Sequence, residues 1–449
     1  MAKHRSTLLV QKRLHAGVTA SPQYLTGLDM FHSHANFPLV LVYKNGLDLG
    51  LIERALVETL RHYPIIAGRY KQDEQGQVYA DANDAGVDFR VHRCEGAMPY
   101  GLHNPLGKRV NDLVKMVLPW QMVGKDVPFL QVNVHQYEDQ GVVLCCYVPH
   151  SLFDGASFWG FLLDWSRACR GEAIKTPFFD RQILIVAGQR PVEAGSYDLM
   201  VAPPMRALWP LFARLGWRAL TDMSREVFRI PAATIDAWKA QGGGAAPDPA
   251  SVSTGSLVAA YVMKAISPCL PPDCERSIGL VLDLRYKRQL NIPREYFGNA
   301  LAYAEARYSV DELARATLPA LAEQCRPPAE QVSIPSLYKM LALTEAYRQK
   351  KATWKLLFKP SVETLRAGLI LNNCVQLPMY DIDLGRGNPD WFEMLPATIR
   401  MLLVVQTPQK DGGVDLHLSA RKAELKALRA QLVADGVDPD GRTTQASPR

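Results

Sequence analysis

At 449 residues, 48% of them hydrophobic and 21% charged, the chain is too long for one ordinary core, since single cores stop growing near roughly 250–300 residues. Two domains of similar size are expected, with the composition of a globular enzyme rather than a disordered or fibrous chain. The net charge of +6 comes from 51 Lys and Arg scattered along the chain, which argues against a nucleic-acid footprint.

In chain order, the N-terminal MAKHRSTLLVQKRLH is basic without an apolar core before a cleavage site, and no apolar run approaches the ~20 residues of a membrane span. A cytoplasmic protein with no membrane partner is the expectation. Pro38–Lys44 is short, apolar and β-branched and predicts a buried strand. Asp48 then caps a helix through His62, on which Leu51, Ile52, Ala55, Leu56 and Leu60 share one face. Strands follow at Phe129–His135 and Val142–Val148, and a helix at Ala156–Arg170 stops at Gly171. From Gly171 to Thr221 periodicity is weak and prolines are frequent, which reads as a connection running over the surface.

A second block opens with the strand Glu226–Ile230 and the helix Ala233–Gln241. The glycine-rich loop QGGGAAPDPA leads into a helix over Ser251–Ile266, followed by strands at Ser277–Leu284 and Gly298–Glu305. Helices are expected at Val310–Cys325 and Pro335–Lys350, strands at Ile399–Gln406 and Val414–Ser419, and an amphipathic helix at Lys422–Val433. The polar tail from Asp438 closes the chain. Strands and helices alternate in both halves, so the fold class is α/β in two layered domains, residues 1–190 and 223–449, joined by a linker over 191–222.

The chemistry concentrates where a buried strand ends in VVLCCYVPHSLFDG. His150 stands at that strand end, and its side chain has the unperturbed pKa nearest neutrality, as a general base requires. Asp154 need not touch the imidazole, because a buried carboxylate there can pair with a distant arginine and fix the loop. Gly155 lacks a Cβ and permits close approach. The competing reading of these six residues is a structural histidine beside a helix-capping aspartate. The eight cysteines form no CxxC pair, and a reducing compartment with buried thiols explains them better than a disulfide framework; Cys374 alone merits inspection as a nucleophile. His32 and His34 lack further ligands at metal spacing, and no metal is expected. No GxSxG elbow or phosphate loop is present, which leaves direct transfer to a hydroxyl or amine from an activated carbonyl.

His150-Ser-Leu-Phe-Asp154-Gly155 resembles the HxxxDG motif of the coenzyme-A-dependent acyltransferases. Further blocks narrow the likeness to the BAHD family: LTGLD at Leu25–Asp29, LRHYPIIAGRY at Leu60–Tyr70, and NDAGV at Asn83–Val87. Asp283-Leu-Arg285-Tyr-Lys287, Glu295-Tyr-Phe-Gly-Asn299 and YDIDLGRGNP at Tyr380–Pro389 complete the set in the family's order. The resemblance implies two chloramphenicol-acetyltransferase-like domains, with mixed sheets flanked by helices and an active-site channel between them. It implies His150 as base, Asp154 and Gly155 as its support, and a structural salt bridge between Asp383 and Arg285. No bound cofactor is implied; acyl-CoA, or an acyl-phosphopantetheine on an acyl carrier protein, is the co-substrate.

Three departures stand out. Leu384 and Arg386 replace aromatics of the DFGWG block, and Asn373-Cys374 stands where a Ser/Thr-Trp pair is usual. The Asn373 amide is then a candidate oxyanion donor. Arg386 is either a contact for a carboxylated acyl group or a surface charge, and the surface reading is preferred. Pro149 occupies the place of the second histidine of condensation domains. The expected activity is acyl transfer to the hydroxyl, less readily the amine, of a small specialised metabolite by a monomer. The alternatives are a carrier-protein-dependent or condensation-type transferase, and a non-catalytic scaffold of the same fold.

Overall fold

Apolar runs such as Val142–Pro149 carry no polar alternation because both faces of the sheet that contains them are covered. In the computed structural model Leu144, Cys146 and Val148 pack, with Leu39 and Leu41, against the helices Leu49–His62 and Gly155–Cys169. Val143, Cys145 and Tyr147 point the other way, as strand geometry demands, into a second cluster with Val40, Val42 and Trp391. The structure describes residues 6–106, 113–114, 117–190, 197–241, 252–394 and 398–441, without the side chains of Phe37, Ala219 and Leu220.

Two six-stranded mixed sheets dominate. The first has the order Ser6–Leu14, Val87–Cys94, Gln131–Gln136, Val142–Pro149, Asn36–Tyr43, Trp391–Met394. Only Val87–Cys94 and Gln131–Gln136 run parallel in it. The second has the order Met223–Ile230, Val414–Arg421, Met401–Gln406, Gly368–Asn373, Arg276–Asp283, Leu301–Tyr308. Its parallel pairs place Gly368–Asn373 between Arg276–Asp283 and Met401–Gln406. Helices Thr254–Ile266, Leu318–Gln324 and Lys422–Ala434 pack against this sheet through Leu257, Val258, Leu321, Leu425 and Leu428.

The Asp48 cap expected from the sequence is made, with the amide N–H of Leu51 donating to its carboxylate at 3.0 Å, and Asp154, a helix cap only in the competing reading of its motif, accepts the N–H of Ser157 at 2.9 Å. Other expectations are corrected. The connection after Gly171 is not bare coil, since it forms helices Gln182–Gly188 and Met205–Thr221. Val310–Cys325 is two helices, Val310–Arg315 and Leu318–Gln324, broken at Ala316 with Pro319 in the first turn of the second. Most of QGGGAAPDPA, the end of the tail beyond Gly441, the first five residues and part of the 191–222 linker lie outside the described residues.

A cut near residue 222 also fails to separate the halves. Trp391–Met394, from the second half, pairs antiparallel with Asn36–Tyr43 and completes the first sheet. Met379, Tyr380, Ile382, Leu384 and Phe392 of the same excursion lie in the first core. In the opposite direction the helix Gly27–Phe31 lies on Ile334–Gln349, so closely that a Cβ on Gly27 would sit 2.4 Å from the Thr344 carbonyl carbon. Phe392 is fully buried, edge-on to Trp159 at 5.5 Å. Phe392→Ala is therefore expected to destabilise the protein by about 3–5 kcal/mol, measured by urea unfolding. A loss under about 1 kcal/mol would show that this strand is not part of the first core.

Candidate active site

The candidate residues meet where the two halves touch. His150 follows the last residue of its strand, and its backbone N–H donates to the Ala35 carbonyl at 3.0 Å. Its Nδ1 lies 3.1 Å from Oδ1 of Asn299. Both hydrogens of the Asn299 amide nitrogen are already given, to Asp29 Oδ1 and to the His150 carbonyl, each at 2.8 Å. Asn299 Oδ1 can then only accept, so the imidazole carries its hydrogen on Nδ1 and its lone pair on Nε2.

A second imidazole lies flat on this one. His32 stacks on His150 with ring centroids 4.3 Å apart and planes 14° from parallel. Its Nδ1 is 2.8 Å from the Leu28 carbonyl, which can only accept, so its Nε2 takes the Tyr303 hydroxyl hydrogen at 2.6 Å. Both histidines are thereby held in the same tautomer. Burial depresses the pKa of His150; its own carbonyl, Asp154, Asn299 and Asp29 offset this only in part. His32 is depressed further, by burial first and then by the neighbouring ring. At neutral pH both rings are uncharged.

Asp154 does not touch the imidazole. It caps the helix Gly155–Cys169, and its carboxylate receives Arg285 at 2.9 and 3.1 Å and the Ala300 N–H at 2.9 Å. Burial alone would raise this carboxyl, but the Arg285 charge and these hydrogen bonds hold it below the usual carboxylate range. Arg285 spends its remaining donors on Asp283, Ser157 Oγ and the carbonyls of Tyr296 and Gly298. A parallel support runs through Asp29, which caps its own helix with Thr26, pairs with Arg181 at 3.1 Å and holds Asn299; Arg181 in turn reaches the Leu152 carbonyl inside the His150 loop.

Several sequence expectations are corrected here. The salt bridge between Asp383 and Arg285 is not formed. Asp383 accepts the N–H groups of Gly385 and Gly387, both at 2.8 Å, and so shapes the DLGRG turn, where both glycines have φ near +100°. Its carbonyl rests on Ser166, roughly 18 Å along the helix from Asp154 and its arginine. No protein atom approaches Gly155 closely, since a Cβ there would meet open space.

Asn373 shares a strand face with Leu369 and Leu371, which pack on Thr254–Ile266; its Oδ1 accepts from Val375, and its amide fills the space beside Gly255. The opposite face, with Ile370 and Asn372, is the one toward Phe31 and Tyr303. Asn373 is therefore not an oxyanion donor beside His150. Cys374 is buried, its thiol pushed up to about 12, and is no nucleophile at neutral pH. Arg386 is exposed beside Gly46, Arg93 and Gln136, in a surface pocket at the far end of the strand that leads to His150, roughly 25 Å away. That distance is too great for its side chain to contact a group held at His150.

Asn299, Asp29, His32, Tyr303 and Arg181 were not marked as site residues from the sequence, although Asp29 and Asn299 fall within the quoted LTGLD and EYFGN blocks. Asp29 and Asn299 carry a signal there, each a polar residue set among apolar neighbours, whereas Arg181, His32 and Tyr303 carry none.

The description "Transferase family" matches residues 24–433 of this chain. A hydroxycinnamoyl-CoA:5-hydroxyanthranilate N-hydroxycinnamoyltransferase of Avena sativa is 27% identical over 402 residues, 86% of each chain. Among solved structures, vinorine synthase superposes with a TM-score of 0.70 at 19% identity, covering 97% of this chain and 99% of its own. The F. graminearum TRI101 complex with coenzyme A and T-2 mycotoxin gives 0.71 at 14% identity, covering 92% and 97%. Both share the two-domain fold with mixed sheets flanked by helices.

Removing Arg285 leaves the Asp154 carboxylate buried without its cation. Arg285→Ala is expected to cost about 3–5 kcal/mol, read as a lowered urea midpoint at unchanged slope. A variant as stable as wild type would mean the pair does not hold the halves together.

Proposed function

The chain belongs to the Transferase family, the BAHD acyltransferases, which draw their acyl group from a coenzyme A thioester, and on that footing we propose that His150 is the general base of transfer to a small-molecule hydroxyl. The observation that carries this reading is the Asn299 bond to Nδ1, which leaves the lone pair on Nε2. Nε2 takes the acceptor proton as the oxygen attacks the thioester carbonyl. The tetrahedral intermediate collapses with cleavage of the C–S bond, and the proton passes from His150 to the departing sulfur. The products are the ester and free coenzyme A, with the base restored.

Asp154 and Arg285 act on position only, by fixing the loop and the helix start on either side of the imidazole. Both halves of the site come from one chain, so a monomer suffices. The oat relative, which by name acylates nitrogen, favours a second reading in which the acceptor is an amine. The chemistry at His150 is the same for both.

The test is release of free thiol from a panel of acyl-CoAs, hydroxycinnamoyl-CoA among them, with simple alcohols and amines in separate wells and an acyl carrier protein as an alternative donor. Turnover is expected to fall by about 10²–10⁴-fold in His150→Ala. Near wild-type turnover in that variant, with the fold intact by circular dichroism, would exclude the base. Silence of the wild type with every donor and acceptor would favour a scaffold. Asn299→Ala releases the tautomer and is expected to lower kcat with little change in KM for acyl-CoA.

His150 works only when neutral. Because burial lowers its pKa, kcat/KM is expected to hold from neutral pH to below the ordinary histidine value of roughly 6.5 and to fall as acidification passes through the depressed value. Circular dichroism across the same range separates this limb from unfolding. A limb centred above pH 7 would contradict a buried, neutral base.

A further inference from the structure

One surface element has no part in the site. The helix Met205–Thr221, MRALWPLFARLGWRALT, buries Leu208 to 1% exposure yet leaves Trp209 71%, Trp217 70%, Phe212 44% and Met205 43% exposed. At 3.6 residues per turn Met205, Trp209 and Phe212 fall within an arc of about 60°, with Trp217 about 80° beyond. Scattered single apolar side chains on a surface need no explanation, but four large ones on one helix do.

The charge on this helix is of one sign. Arg206, Arg214 and Arg218 are its only ionisable residues, and no Asp or Glu occurs between Met205 and Thr221. Arg218 gives one N–H to the Leu365 carbonyl, whereas Arg206 and Arg214 have no ion-pair partner among the described residues. On the helical wheel Arg206 lies between Trp209 and Trp217, and Arg214 lies at the margin beyond Trp217. From this pattern we infer that the outward face of Met205–Thr221 docks on an anionic membrane surface, with the aromatic rings at headgroup depth and the guanidinium groups on lipid phosphates and carboxylates.

Charge complementarity decides among occupants. A second copy of the chain would bring an identical all-arginine helix against this one, and like charges across a two-fold contact oppose it. No helix among the described residues is long and apolar enough to cross a membrane, and none is required, because a helix lying flat engages through one face. The expectation of no membrane partner rested on the N-terminal segment and on the missing span, neither of which bears on a helix lying flat.

The test is co-sedimentation of the full chain with vesicles of phosphatidylcholine alone, and of phosphatidylcholine with one third phosphatidylserine, at low and high salt. Binding is expected to the serine-containing vesicles and to be lost at high salt. Trp209→Ala with Trp217→Ala should abolish it. Arg206→Ala with Arg214→Ala should weaken it by about 25-fold, roughly fivefold for each charge. Thiol release from soluble substrates should be unchanged in both variants. No binding to the anionic vesicles at low salt would overturn the inference, as would binding that survives the double tryptophan change. A concentration-dependent dimer lost in the tryptophan variant would assign the face to a second copy instead.

Discussion

The carboxylate of Asp154 and the guanidinium of Arg285 are both buried, they come from opposite halves of the chain, and the remainder of the site is arranged around their contact. Taking two such charges from water is expensive and is repaid only when geometry is close and every other donor is satisfied. Here the repayment is complete: one carboxylate meets two guanidinium nitrogens and two backbone N–H groups, and the guanidinium finds Asp283, Ser157 and two carbonyls besides. Neither half can withdraw without stranding a charge in a dry place. The seam that holds the site is therefore locked in register.

That register also sets the imidazole, four residues before Asp154, against the residue next to Ala300. Ala300 donates to Asp154 while its neighbour Asn299 faces His150, so the strand that begins at Leu301 is delivered to the loop by the ion pair. Asp29 and Arg181 repeat the device from the other flank. The His32 ring then covers one face of His150, with its own hydrogen committed to a backbone carbonyl. An imidazole in this setting is held in one orientation and one tautomer before any ligand arrives.

How much of this could be read from the sequence depends on whether the signal was local. The Asp48 cap and the apolar strands ending at Tyr43 and Pro149 are written in neighbouring residues and appear as expected, and the Asp154 cap was legible there too, as the competing reading of its motif. Ser6–Leu14 is an edge strand with one buried residue and no alternation to betray it. Met205–Thr221 escaped notice because its apolar residues face outward and prolines flank and interrupt it. The error at Asn373 was one of parity, since neighbours on a strand face opposite sides and a motif match does not say which. The pairing of Arg285 with Asp383 came from likeness of motifs, whereas the actual partner follows from where the second sheet ends. Convergence of Asp29, His32 and Asn299 on His150 is a property of topology, which spacing along a chain does not carry.

The strand Trp391–Met394 has a consequence for how the molecule is made. A ribosome delivers Asn36–Tyr43 early, but the rung that covers its open edge emerges only after nearly nine-tenths of the chain has been synthesised. Until then the nascent first half carries an unpaired, apolar strand edge and an unfilled place for Phe392 and Ile382. Such a half-built sheet is the kind of surface on which chains aggregate or chaperones settle. The late excursion that closes it makes the two halves a single unit of assembly, even though they are two units of architecture.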